Sequence, residues 1–361
     1  MGGRRIVHVT ARDRLLAALV ALCWGLNFPA IHLSLEQFPP FFLVALRFAL
    51  IAIPTVLLVR PPRAPRRWLL LYGAGFGVLQ FVFLYWAMDA GMPTGLASLV
   101  LQSSAPFTVV LAGALLRERI TARQAIGVLV AVGGLAGIAV HRAGLDGGAT
   151  LVPVLLTLCG GLGWALGNLG NRQAVRAAPG EAFRLMLWMS VIPPLPMLAL
   201  SLAVEGPARI GQSFQGLTAP TGLAALGGLA FTVVVATVGG SGLWASLMSR
   251  HPATTVAPFS MLVPVVGIVA SWLLLRETTA PVEIAWGAAV VAGVLIGSTP
   301  PRGTRRGQPP AADATGTTSA VAIAATPSPR PVSPSASVVV ADTVTGAPAA
   351  ADSADCASSR R

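Results

Sequence analysis

Long apolar runs fix what this chain can fold into. They cover, to within a few residues, 15–35, 41–59, 68–88, 94–116, 122–140, 151–170, 183–204, 222–247, 253–275 and 282–299. An α-helix needs about 20 largely apolar residues to cross ~30 Å of hydrocarbon, and its backbone groups then bond within the helix. Neither the alternation of a soluble sheet nor the dyad pattern of a membrane barrel is present. Mean hydropathy is +0.74, and charged residues are only 11% of the chain, crowded between the runs. The first run is too long, and too soon followed by others, for a cleaved signal peptide. The pattern therefore predicts an all-α integral membrane protein with ten transmembrane helices.

The formal net charge is +12, and every basic residue is arginine. Sorted by loop with a cytoplasmic N-terminus, eighteen arginines fall inside and three outside (Arg142, Arg209 and Arg276). This is the positive-inside distribution, with both termini cytoplasmic, and it argues for a lipid bilayer as partner and against nucleic acid. Residues 1–14 read as a cytoplasmic N-terminus. Residues 300–361, rich in Ala, Pro, Ser and Thr, read as a disordered cytoplasmic tail with Arg302, Arg305 and Arg306 against anionic lipid.

A shift of 159 residues lays Leu115-Leu116-Arg117-Glu118 on Leu274-Leu275-Arg276-Glu277, Pro93 on Pro252 and Val110 on Val269. The chain thus reads as two repeats, 15–140 and 151–299. Five helices per repeat is an odd number, so the second enters the bilayer inverted, the arrangement of alternating-access secondary transporters. Arg117, Glu118, Arg276 and Glu277 sit at helix ends, with Thr121 and Gln124 spaced as a capping box. A structural turn is the favoured reading of these pairs and a gate the other.

Polar groups inside apolar spans mark a candidate cavity: Asn27, Gln80, Gln102, Ser103, Asn168 and Ser260, with Trp24 and Trp164 beside them. Asn171, Ser104 and Trp244 belong to the same polar and aromatic set. Arg47 lies two turns into its helix, where a guanidinium costs ~2.5–3.5 kcal/mol even on the lenient insertion scale. It is either a fork for a substrate carboxylate or a tether to carbonyls, Glu36 or Asp89. Pro29, Pro54, Pro106, Pro258 and Pro264 free backbone carbonyls within spans. The Gly-x-x-x-Gly pairs starting at Gly73, Gly133, Gly163 and Gly293 read as close helix contacts within the chain, with a homodimer seam as the alternative. No catalytic motif, cofactor signature or metal-ligand spacing is present, and Cys23, Cys159 and Cys356 suggest no disulfide. The chain reads as no enzyme.

The segments "WGLNF" (24–28), "LVALRF" (43–48), "GMPTGLASLVLQ" (91–102), "LLRER" (115–119), "WALGN" (164–168) and "APFSMLVPVVG" (257–267) resemble the EamA type of the drug/metabolite transporter superfamily. The resemblance covers about 15–299 and is strongest to exporters of O-acetylserine and cysteine. It implies efflux of a small-molecule substrate, an amino acid or derivative, across the cell membrane. "QSSAPFT" departs from that exporter pattern, with Ser104 in place of a glutamine and Pro106 in place of an aromatic, which changes the polarity of the fourth helix. Other readings are an importer or another metabolite carrier of the superfamily, or a membrane receptor working through its tail.

Overall fold

The computed structural model describes residues 10–145, 151–251 and 256–298. The proposed tail, 300–361, lies outside the described residues, as do residues 1–9 of the proposed N-terminal segment and Pro252. Among the described residues there are helices and turns and no strand. Eight helices are long and apolar enough to cross a membrane: α1 (Ala11–Leu35), α2 (Pro40–Leu58), α3 (Arg66–Asp89), α4 (Thr94–Leu116), α5 (Ala122–Ala143), α6 (Leu151–Ala177), α7 (Ala182–Val204) and α8 (Pro220–Met248). Two shorter apolar helices follow, α9 (Phe259–Leu275) and α10 (Pro281–Gly297). Leucines stand bare on the outside, with Leu57 76%, Leu58 82% and Leu195 77% exposed, as a lipid-facing surface requires.

Two boundaries differ from the sequence reading. Helix α1 begins at Ala11, because Thr10 caps it by accepting the Asp13 backbone N–H on its hydroxyl, so part of the expected N-terminal segment is helical. Helix α6 runs seven residues past the expected 170, carrying Arg172 and Arg176 on its polar end. The expected capping box is present: Thr121 Oγ1 accepts from the Gln124 N–H, and the Gln124 side chain accepts from the Thr121 N–H.

The prolines act at irregular points. Pro193 opens the second segment of α7 after a break at 190–193. In α4 a 3₁₀ turn, Leu101–Ser103, precedes the helical segment that contains Pro106, and in α9 the 3₁₀ turn Ala257–Met261 precedes Pro264. A proline lacks the N–H for the i to i−4 bond, so the preceding turn tightens. Pro29 and Pro54 are tolerated inside continuous helices.

Helices α3 and α8 each contain a π-helical stretch, Gly73–Leu79 and Phe231–Gly240. Such inserts turn the residues that follow by about a register step and concentrate at functional sites.

The largest helix interfaces run between the first five helices and the last five. Helix α1 lies against α8 and α9, α6 against α3 and α4, and α2–α7, α4–α9 and α5–α10 pair directly. Glycines make these approaches close. A Cβ on Gly127 would lie 2.5 Å from the Gly293 carbonyl, one on Gly134 2.7 Å from the Trp286 carbonyl, and one on Gly167 2.6 Å from the Phe76 nitrogen. Gly73 and Gly77 meet Ile192 and Pro193 of α7, and Gly137 meets the Trp286 ring. Gly133 departs from the expectation of helix contact, because it faces open space. Its neighbour Gly134 takes the contact instead, one residue being about 100° of helix.

The repeated Leu-Leu-Arg-Glu is a repeated turn. Arg117 and Arg276 end α4 and α9 in the left-handed region at φ 54° and 57°. The N–H of Glu118 reaches the Ala112 carbonyl at 3.4 Å, and that of Glu277 reaches Ser271 at 3.3 Å. The N–H groups of Arg117 and Arg276 reach the same two carbonyls, so each helix ends in a widened turn closed by a left-handed residue, at a position glycine usually fills.

Candidate functional site

Between the helices is an open cavity, about 1120 Å³ when the solvent space at its mouth is included. Trp24, Asn27, Phe28 and Ile31 of α1 and Arg47 of α2 form one side. Tyr72, Phe76, Gln80, Phe81 and Leu84 of α3, with Ser98, Leu101 and Gln102 of α4, form the next. Trp164 and Asn171 of α6, Met186 and Met189 of α7, and Thr237, Ser241 and Trp244 of α8 face them. Ser260 and Val263 of α9 complete the wall.

Of the residues singled out in the sequence, Trp24, Asn27, Arg47, Gln80, Gln102, Trp164 and Ser260 meet on this wall. Ser103 and Asn168 do not. The 3₁₀ turn at Leu101–Ser103 swings the Ser103 hydroxyl toward Gly161 of α6, and Asn168 Nδ2 donates to Thr108 Oγ1 at 3.3 Å. Both tie α4 to α6. Ser104 is likewise buried and off the wall.

Arg47 is the cationic member of the lining. It is 4% exposed. One terminal nitrogen donates to Tyr85 Oη at 2.8 Å and the other to Thr237 Oγ1 at 2.9 Å. Thr237 in turn donates to the Thr232 carbonyl, five residues back in the π-helical stretch. The guanidinium carbon lies 4.1 Å from the Phe81 ring centre and 5.3 Å from that of Phe48. Two hydrogen bonds from the cation to neutral oxygens, at ~1.5–3 kcal/mol each, and a desolvated cation–π contact of ~2 kcal/mol are of the size needed to hold a guanidinium at this depth. The expected acidic tethers are not its partners: Glu36 pairs with His32 at 3.8 Å, and Asp89 with Arg209 at 4.0 Å. Among the described residues Arg47 has no ion pair, and its Nε is buried without an acceptor. The charge is held in place by neutral groups and remains available to an anion.

The aromatic rings at the cavity pack in two groups. Trp24 lies 5.3 Å from Trp244, Phe76 lies 6.2 Å from Trp164 and 5.8 Å from Phe81, and Phe81 lies 5.6 Å from Tyr85, centre to centre. Trp24 Nε1 donates to the Ala236 carbonyl at 3.0 Å, whereas Trp164 Nε1 and the carbonyl oxygens of Asn27 and Gln80 have no partner among the described residues. Buried polar atoms left unpaired cost ~1–3 kcal/mol each, which a polar ligand relieves. Among the described residues no group of three metal-ligating side chains occurs.

The Arg-Glu turns lie away from the cavity. Glu118 holds Arg172 of α6 by two bonds, 2.8 and 3.2 Å, while Glu277 accepts the Thr94 N–H at 2.8 Å and its hydroxyl at 2.7 Å. Other polar ties between the first and last five helices escaped the sequence reading. Glu205 accepts the N–H groups of Phe41 and Phe42, and Glu181 accepts that of Arg63. Asp13 meets His251 at 2.9 Å and Arg250 at 3.0 Å. A faint signal existed: α2 and α4 both start behind a proline, which offers no capping side chain, so an acid had to come from elsewhere.

The profile of the EamA-like transporter family matches residues 14–140 and, a second time, residues 151–299. The chain belongs to this family. Relatives of this EamA-like transporter include a probable amino-acid metabolite efflux pump of Salmonella typhimurium, 38% identical over 290 residues, which cover 80% of this chain and 95% of the relative. A protein of Escherichia coli with the same description is 35% identical over the same shares. A probable terminal-alkyne amino-acid exporter of Streptantibioticus cattleyicolor is 26% identical, over 80% of this chain and 94% of its own. One solved crystal structure shares the fold at a TM-score of 0.50 and 19% identity, covering 79% of this chain and 95% of its own. An EamA-like transporter with eight long apolar helices is a multi-pass protein of the cell membrane, and its family is one of transporters.

Proposed function

We propose that this EamA-like transporter exports amino-acid-type metabolites by alternating access, with the substrate carboxylate held on Arg47. The observation that carries the reading is a buried guanidinium on the wall of an aromatic cavity, fixed by Tyr85, Thr237 and Phe81 and facing no carboxylate among the described residues. A planar fork of donors suits a carboxylate, and the surrounding rings suit the apolar part of a small metabolite. The efflux pumps and the amino-acid exporter among its relatives support the substrate class.

All ten helices cross the bilayer with both termini cytoplasmic, and residues 15–140 and 151–299 are inverted repeats. Three observations support this topology. The arginines sort to one side. The Arg117 and Arg276 turns superpose in conformation under the 159-residue shift. The helix pairing obeys a pseudo-two-fold rule: α1 on α8 and α9 answers α6 on α3 and α4, while α2, α4 and α5 each meet their own counterparts. The two repeats rock about the cavity, and Tyr72 and Met186, toward the cytoplasmic ends of α3 and α7, mark the loading route.

Reconstituted liposomes loaded with labelled amino acids test the reading. Wild-type protein releases carboxylated substrate, while Arg47→Ala, and Arg47→Lys because it loses the fork, reduce release at least tenfold with the protein still monodisperse. Full retained transport by Arg47→Ala would remove Arg47 from the site.

A further inference from the structure

Gln80 is 4% exposed and lies on the cavity wall, yet its side chain has no hydrogen-bond partner among the described residues. Its backbone, by contrast, is held firmly. A Cβ on Gly163 would stand 2.7 Å from the Gln80 nitrogen and one on Gly160 3.1 Å from its carbonyl, so α6 grips α3 at this residue. Gln80 is also the first residue after the π-helical stretch Gly73–Leu79, and its N–H donates back to the Gly75 carbonyl. The insert and the two glycines together set the direction in which this amide leaves α3.

That direction is next to Arg47. Phe81 and Tyr85, four residues apart on one row of α3, are the residues that stack on and bond to the guanidinium. Gln80 and Leu84 form the adjacent row, about 100° round the helix, and both line the cavity. In an α-amino acid the carboxylate and the amino nitrogen are separated by a single carbon. With the carboxylate on Arg47, the amino group has the neighbouring row within reach. A glutamine carbonyl accepts from an ammonium, and rotation of the terminal torsion turns that oxygen into the cavity.

We infer that Gln80 is the residue that reads the substrate's amino group, so the transporter distinguishes amino acids from the corresponding simple carboxylic acids. The inference rests on the carrier reading above, and Gln80 acts as a specificity-determining residue within it.

The test uses the full-length protein in liposomes and two probe pairs, L-cysteine with 3-mercaptopropionate and L-phenylalanine with 3-phenylpropionate, after subtraction of protein-free vesicles. Wild type should favour the amino acid over its des-amino partner on the order of tenfold, the size of one hydrogen bond to a charged group. Gln80→Leu and Gln80→Met should bring that ratio to within about twofold of unity, while Gln80→Glu, which keeps an acceptor, should preserve it. The ratio is internal to each preparation and does not depend on how much protein inserts. A ratio retained in Gln80→Leu or Gln80→Met, equal loss of both partners in both variants, or collapse of the ratio in Asn27→Leu with Gln80→Leu unchanged would each overturn the assignment. Wild type that moves neither amino acid overturns the carrier reading instead, which separates the two failures.

Discussion

Glu205 accepts the backbone N–H of Phe41 at 2.7 Å and caps a helix 164 positions away from it in the chain. The second oxygen takes the Phe42 N–H at 3.0 Å, and the same carboxylate accepts from Ser201. Because Pro39 and Pro40 supply no capping side chain, the first turn of α2 depends on this acid. Glu205→Ala should lower stability by about 1 kcal/mol, the usual loss for a helix N-cap, with Glu205→Gln between it and wild type. The readout is the thermal unfolding midpoint in detergent, and an unchanged midpoint for Glu205→Ala would contradict the capping role.

Tyr85 positions Arg47 and stands behind it. Its loss should be felt in substrate affinity first. Tyr85→Phe removes one bond to the guanidinium and keeps the ring stack on Phe81, so KM should rise roughly three- to tenfold while the maximum rate stays within about twofold. Initial-rate measurements in liposomes decide this, and an equal fall in maximum rate at unchanged KM would point to a role in the conformational step.

Two glycines of α5, Gly127 and Gly133, should respond in different ways. A methyl group on Gly127 would press on the Gly293 carbonyl and the Gly297 nitrogen, which are backbone and can yield only if α10 moves. Gly133 has nothing within 4 Å of its added Cβ. Gly127→Ala should therefore destabilise the protein, whereas Gly133→Ala should be neutral or gain up to about 1 kcal/mol from helix propensity. Comparison of the two unfolding midpoints is sufficient, and equal effects would place the α5–α10 contact elsewhere.

Glu283 is 1% exposed and pairs with Arg142 between α10 and α5. Arg142→Ala leaves a buried carboxylate without its cation and should cost about 3 kcal/mol, while the double change Arg142→Met with Glu283→Leu should cost less than the single one. By contrast, the pair of Arg172 with Glu118, whose side chains are 18% and 30% exposed, should show a coupling of no more than about 1 kcal/mol in a double-mutant cycle. A coupling of several kcal/mol there would mean that the site is drier than its exposure implies.

Features with a local code were legible in the sequence. The apolar runs give the helices to within a few residues, apart from the longer polar end of α6, and Thr121 with Gln124 announces its cap, because the partners are three positions apart. The Asp13–His251 contact joins residues 238 positions apart, and nothing near either one hints at the other. Within the candidate cavity, polarity alone separates Gln102 from Leu101 but not from Ser103. The 3₁₀ turn that sends Gln102 to the wall and Ser103 into α6 depends on how the backbone ahead of Pro106 tightens. The π-helical stretches carry even less signal. The glycines at 73, 75 and 77 announce close contact, but the extra residue per turn that aims Gln80 is visible only in the backbone bonds.

The interleaving of the helices bears on how the protein is made. When the ribosome has released α1–α5, neither α8 nor α9, against which α1 rests, has been synthesised, and the acid that caps α2 is still to come. The early helices must wait in the insertion machinery or the lipid with Arg47 lacking its Thr237 partner and the first amides of α2 hydrated at the membrane surface. The amino-terminal five helices, expressed alone, should be handed to membrane proteases, and co-expression of the other five as a separate chain should rescue them.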